Sequence, residues 1–265
     1  MPFPELVSYL LIGALSGLLA GLFGVGGGAI MVPALILVFT HGELAQDWIP
    51  HLAVGTSLAT IIGTGAASTL AHHRRAGVRW DLFVSLTPGI VLGAWAGAAF
   101  AAQIPDLWLK RLFAVFLAFV GARMLLPVAR SVPTRVMPGR LGLWGVGGGI
   151  GMLSALVGIG GGTLTVPFLS NRGIDMRKAV GTSAACGLPI AIAGTIGFIL
   201  AGLGRAGLPD LSSGFVYWPA VVAMLLASMP TAPLGTRLAH ALPVQVLKRM
   251  FGVLLLLIAA KLALG

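Results

Sequence analysis

Apolar residues run through this chain in long blocks separated by short polar breaks. The blocks cover 6–23, 52–71, 82–102, 109–126, 179–203, 216–229 and 244–264, and most reach the roughly 17–25 residues that a helix needs to cross a bilayer. Nowhere does the pattern alternate with the period of two that a membrane barrel strand requires. The chain is therefore expected to be all-α, a polytopic helical membrane protein. Ten helical segments are predicted: 6–23, 28–40, 52–71, 80–102 and 108–126, then 140–157, 162–171, 177–203, 215–236 and 243–264. The second segment of each five is short. About 13 residues at a rise of about 1.5 Å span only about 20 Å of a hydrocarbon core about 30 Å thick. The first two segments of each five are thus expected to form a broken or re-entrant hairpin with its tip inside the membrane.

Both tips are rich in glycine. One stretch reads Gly17-Leu-Leu-Ala-Gly-Leu-Phe-Gly-Val-Gly-Gly-Gly-Ala-Ile-Met-Val-Pro33, and a second reads Gly151-Met-Leu-Ser-Ala-Leu-Val-Gly-Ile-Gly-Gly-Gly-Thr-Leu-Thr-Val-Pro167. Further on, Val54-Gly-Thr-Ser57 returns as Val180-Gly-Thr-Ser183, Trp80 as Trp218, Pro105 as Pro243 and Lys110-Arg111 as Lys248-Arg249. Such a duplication predicts two transmembrane repeats, 1–126 and 140–265, joined by a linker at 127–139 that holds Pro127, Pro133 and Pro138.

Composition agrees with a membrane protein. Charged residues make up 9% of the chain and mean hydropathy is +1.00, against about 25% charged residues in a soluble domain. The net charge of +10 would suggest nucleic acid in a soluble protein, but the bases stand in loops between apolar blocks, so no nucleic-acid partner is expected. If each repeat reverses the chain's side, Arg74, Arg75, Arg79, Arg123, Arg130, Arg135, Arg140, Arg172, Arg177, Lys178 and Arg237 gather on one face. Lys110, Arg111, Arg205, Lys248, Arg249 and Lys261 fall on the other. Four crossings per repeat would divide the same bases almost evenly. The positive-inside rule favours the first arrangement: inverted repeats, both termini outside, and the 127–139 linker in the cytoplasm. The opening Met-Pro-Phe-Pro-Glu lacks the basic flank of a cleavable signal peptide, so the first segment is expected to stay in the mature protein.

Candidate chemistry is sparse. Cys186 is the single cysteine, which excludes an internal disulfide and a multi-cysteine metal site. Glu5, Glu43, Asp47, Asp81, Asp106, Asp175 and Asp210 all fall in or beside loops, and His72 and His73 read as solvated loop residues. No histidine has metal-ligand spacing, and neither a phosphate loop nor a dinucleotide motif occurs. No catalytic residue, metal or cofactor is expected, and the chain does not read as an enzyme. What remains is backbone. A helix starting near Gly28 points free amides and its positive dipole end at the tip formed by Gly24, Gly26 and Gly27, which suits a small anion. Gly158, Gly160, Gly161 and Gly162 repeat the arrangement. Thr56, Ser57, Thr182 and Ser183 either cap helices or bind solute oxygens. Pro33 and Pro167 are expected to shape the site as helix-start or kink residues. The bland alternative for glycine is close helix packing, which Gly13, Gly17 and Gly21, and Gly89, Gly93 and Gly97, fit well.

The doubled Gly-x-Gly-Gly-Gly-x-x-x-x-Pro segments, each followed by Val-Gly-Thr-Ser, closely resemble the TauE/SafE family of sulfite exporters and anion permeases, over nearly the whole chain. Ala155 stands where the first copy has Gly21, and Thr163 where it has Ala29, so the two tips are unequal. The resemblance implies passage of small sulfur-containing anions such as sulfite, sulfoacetate, thiosulfate or related organosulfonates across a bacterial plasma membrane. A permease for another small organic or inorganic anion, and a non-transporting membrane scaffold or sensor, are the rival expectations.

Overall fold

The computed structural model describes residues 3–24, 26–42, 44, 47–125, 136–241 and 244–264. Its helices, in chain order, are α1 (Phe3–Phe23), α2 (Gly28–His41), α3 (Ile49–His73), α4 (Trp80–Ala101), α5 (Asp106–Leu125), α6 (Arg140–Val157), α7 (Gly162–Ser170), α8 (Met176–Gly202), α9 (Trp218–Ala241) and α10 (Val244–Leu264). Each predicted segment has its helix, within a few residues. The exception is the expected helix start at 215. A two-stranded antiparallel ribbon, β1 (Ser212–Ser213) and β2 (Val216–Tyr217), occupies that place and α9 begins only at Trp218. The reason is local: Leu211 and Gly214 take left-handed conformations, and the Tyr217 amide bonds to a side chain of α3 instead of entering a helix. Of the expected linker, 127–135 lies outside the described residues, and 136–139 has no regular structure.

Among the described residues, six helical stretches are long and apolar enough to cross a membrane: α1, α3, α4, α6, α8 and 218–238 of α9. The outer faces of the helices expose Leu11, Leu92, Trp95, Phe119, Leu200 and Leu226. That surface suits lipid and not water. Exposed tryptophans stand within the first five residues of four helices, at Trp80, Trp108, Trp144 and Trp218, where a membrane interface holds amphipathic rings.

The packing partners follow from the small residues. Gly13, Gly17 and Gly21 of α1 lie in register on the backbone of Met224, Ser228 and Ala232 of α9, so these helices run parallel. Gly89, Gly93 and Gly97 of α4 lie likewise on Trp144, Gly148 and Met152 of α6. A methyl group at any of the six would meet partner backbone, which is how small-xxx-small stripes bring helices close. Each pair joins a helix of the first five to one of the second five, so the two sets interleave. At the centre α3 and α8 run antiparallel: Gly181 of α8 meets the end of α3 at His72, and Gly55 of α3 meets the end of α8 at Phe198. The apolar window of α3 is 78% buried, more than that of any other candidate span.

Candidate functional site

The first glycine turn forms because three residues leave the right-handed region. Gly24, Gly26 and Gly27 have φ of 64°, 73° and 79°, a conformation that costs an L-residue about 1–2 kcal/mol. Gly27 is the N-cap of α2, and no side chain caps that helix. The second turn repeats this with Gly158 at φ 69° and Gly161 at 73°, Gly161 being the N-cap of α7. Beyond the caps, the first helical bonds run from the Ile30 and Met31 amides to Gly27 O, and from Leu164 and Thr165 to Gly161 O. The amides of Gly28 and Ala29, and of Gly162 and Thr163, precede those bonds and carry the positive end of each helix dipole.

The two turns touch. A side-chain carbon at Gly26 would stand 3.1 Å from Gly160 Cα, and one at Gly28 would collide with Gly158 O and come within 2.9 Å of Ile159 Cα. Ile61, midway along α3, and Gly187, near the middle of α8, border this crossing. Towards the two ends of the molecule, Gly24 rests on Val180 and Gly158 on Val54. The glycines named from the sequence therefore gather around one crossing, half-way along the two central helices.

Serines hold the turns. Ser57 Oγ donates to Gly158 O at 2.9 Å, and Ser183 Oγ donates to Gly24 O at 3.3 Å. Each serine thus reaches the turn of the other half. The bonds occupy two carbonyl oxygens, whose negative ends are the groups an anion would avoid. The neighbouring threonines make different bonds. Thr56 Oγ1 accepts from the Tyr217 amide at 3.0 Å, and Thr182 Oγ1 accepts from the Arg79 amide at 2.9 Å. Both amides lie just before a helix of the opposite half, so these hydroxyls are spent on the entries to α9 and α4. Pro33 and Pro167 lie more than one turn inside α2 and α7. There a proline withdraws one helical hydrogen bond instead of filling the first helical position.

Two residues that sequence reasoning did not select complete the picture. Ser16 is fully buried with its Oγ unpartnered, and its Cβ lies 2.9 Å from where a carbon at Gly27 would be. Ser154 Oγ is also buried and unpartnered, 3.5 Å from the same point at Gly161. The second turn adds unpartnered hydroxyls on Thr163 and Thr165 of α7. A buried hydroxyl without a partner costs about 1–3 kcal/mol, so each is a donor awaiting an acceptor. The available signal was a hydroxyl residue in the helix before each glycine run, easily read as another small packing residue.

Two histidines lie in the protein interior. His72 is not a solvated loop residue: α3 extends to His73, and the buried His72 ring lies with Nε2 3.3 Å from Gly21 O. His51, in the first turn of α3, is buried, with Nε2 3.0 Å from Ala101 O and Nδ1 2.7 Å from Asp106 Oδ1. Among the described residues no group of His, Cys, Asp and Glu is arranged to hold a metal ion.

A lipid-faced bundle whose polar interior is built from helix starts, serines and threonines has the form of a multi-pass membrane transporter. The chain belongs to the sulfite exporter TauE/SafE family, whose pattern it matches over residues 9–262. It is 36% identical to a probable membrane transporter protein of Haemophilus influenzae across 97% of both chains. It is also 24% identical to the probable membrane transporter protein YunE of Bacillus subtilis, over 97% of this chain and 96% of that one. A probable membrane transporter protein of Methanocaldococcus jannaschii is 26% identical over 85% of this chain and 80% of its own. No solved structure matches the chain.

Proposed function

We propose that this protein carries small sulfur-containing anions, such as sulfite, sulfoacetate, thiosulfate or related organosulfonates, across the bacterial plasma membrane. The observation that supports it best is the crossing of the two glycine turns. Two helix N-termini come to one place, their nearby carbonyls are tied by Ser57 and Ser183, and the hydroxyls of Ser16 and Ser154 lack partners beside them. Free amides and hydroxyls are donors, and donors are what an oxyanion needs. No buried lysine or arginine is required. The family name points to sulfite as the first cargo to try.

The turns are in contact in this conformation, so an anion binds when they part. The repeats, 1–126 and 140–265, are inverted about the crossing, with termini outside and the linker 127–139 in the cytoplasm. Parting towards one face and then the other gives alternating access around a midplane site. Thr56 and Thr182 act in this scheme as struts to α9 and α4, and Pro33 and Pro167 set the course of the short helices that frame the site.

Flux of labelled sulfite in proteoliposomes tests the reading. The wild type should move sulfite. Gly27→Leu and Gly161→Leu should abolish movement, the comparison being made on protein that elutes as a monodisperse peak. Ser16→Ala and Ser154→Ala, which remove one donor each, should raise KM by up to about tenfold, the equivalent of about 1.4 kcal/mol. A folded wild-type protein that moves none of a broad panel of sulfur and other small anions would sink the proposal.

A further inference from the structure

The one buried acid–base contact of the described residues stands apart from the glycine crossing. His51 has no solvent exposure, and Asp106, the first residue of α5, is 30% exposed. Both ring nitrogens face oxygen. Nε2 lies 3.0 Å from Ala101 O, and a carbonyl only accepts, so Nε2 bears a hydrogen. Nδ1 lies 2.7 Å from Asp106 Oδ1. A neutral ring would set its Nδ1 lone pair against a carboxylate oxygen at that distance, which is repulsive. One additional proton turns the contact attractive, and it resides on the ring, the stronger base of the two. The carboxylate stands off the Nδ1 axis, so the contact is not an aligned hydrogen bond.

We propose that His51 and Asp106 form a proton-binding site, one per chain, whose loading and release couple solute movement to a proton. The coupling rests on the transport reading above; the proton site does not. Three features support it. The contact is unique within the duplication: the correspondences of Val54 with Val180 and Pro105 with Pro243 put Arg177 and Val244 in the equivalent positions. A contact needed only to hold the repeated scaffold would be expected twice. Next, the ring packs on Phe215 and Trp48, with centroids 5.1 and 5.5 Å away, and Phe215 O is seated on Gly55. Finally, Val54 and Ser57, which bear on Gly158, follow His51 within two turns. Loss of the proton leaves like-signed electron pairs facing each other, pushing α5 from the start of α3 at the place where α3 seats a glycine turn. The other charged groups at this end of the elements around the ring are Lys110 and Arg111 of α5, Asp47 in the turn before α3, Asp210 in the turn before β1, and Arg205, whose guanidinium lies 5.2 Å from the Trp48 ring centre. Glu5 and His41 lie at the same end of the molecule.

Nitrogen NMR of histidine-labelled protein in lipid nanodiscs tests the site without reference to transport. The His51 resonances are those that vanish in His51→Gln. At pH 7 the wild-type ring should be protonated on both nitrogens, and Asp106→Asn, which removes the facing carboxylate, should lose the doubly protonated form. A neutral His51 ring at pH 7 in the wild type overturns the proposal. Coupling is read with methanesulfonate, which has no group titrating near neutrality, in vesicles whose voltage is clamped with potassium and valinomycin. A step of one pH unit should drive the wild type to a methanesulfonate gradient of about tenfold at one proton per solute. His51→Gln and Asp106→Asn should lose that gradient, with exchange of labelled methanesulfonate in the same vesicles monitored alongside. A wild type that exchanges methanesulfonate but builds no gradient refutes the coupling. Absence of exchange counts against the transport reading instead, and the NMR titration still decides the proton site.

Discussion

Glycine has opposite consequences at neighbouring positions of α6. Gly147 and Gly151 lie against the backbone of Leu86 and Ile90, whereas Gly145 and Gly149 are exposed, with nothing within 4 Å of where a Cβ would stand. At the open positions only the helical disadvantage of glycine remains, about 0.5–1 kcal/mol relative to alanine. Gly145→Ala and Gly149→Ala should each stabilise the protein by about that amount. Gly93→Ala should do the reverse, since its methyl group would collide with Gly148 O between α4 and α6; overpacking of this kind costs about 1–3 kcal/mol. Thermal unfolding in detergent, followed by loss of the monodisperse peak, distinguishes the cases. A rise in melting temperature for Gly93→Ala would contradict the close packing of that pair.

At the scale of elements, α3 and α8 perform equivalent tasks with unequal exposure. Thr56 accepts from a buried Tyr217 amide, Thr182 from a part-buried Arg79 amide. Valine keeps the shape of threonine and removes the acceptor. Thr56→Val should therefore cost the full penalty of an orphaned buried amide, about 1–3 kcal/mol, and Thr182→Val less, because water can reach the Arg79 amide. Equal melting shifts for the two variants would argue against this account. The same comparison explains what was readable in advance. Helices α1 to α10 were visible because their apolar blocks are long and their breaks carry glycine, proline and charge. The packing stripes on α1 and α4 were visible because a four-residue glycine period has one obvious use. Ser57 and Ser183 were singled out, but not that each grips the turn of the opposite half, because the register between two repeats is a tertiary fact with no local signature. The meeting of His51 with Asp106 is invisible in the sequence for the same reason: only the return of α4 brings the start of α5 to the start of α3. The ribbon before α9 was missed because Val216 and Tyr217 prolong an apolar block that reads as helix.

Over the whole molecule, the two ends differ in chemistry. At one end Arg75 reaches Thr236 O, the Arg79 amide is held by Thr182, and the first turn of α8 brings Arg177 and Lys178 alongside Gly77. At the other end Trp48 bonds to Ala206 O, Arg205 lies over its ring, and His51 meets Asp106. With 25 residues, α3 joins these ends over about 37 Å at 1.5 Å per residue, more than the hydrocarbon thickness, so they belong to opposite faces of a membrane. The orientation proposed above, which rests on the excess of bases, puts the Arg74 end in the cytoplasm. Single cysteines in a Cys186→Ala background test this in intact cells with a membrane-impermeant maleimide. Cys186 is fully buried, so its removal silences the background, and Arg74 and Ala206 are both exposed. Ala206→Cys should label from outside, and Arg74→Cys should label only after the cells are opened. The reverse pattern would turn the protein over in the membrane. Labelling of both from outside would place the two ends on one face, and with them would fall the inversion of the repeats on which alternating access at the glycine crossing depends.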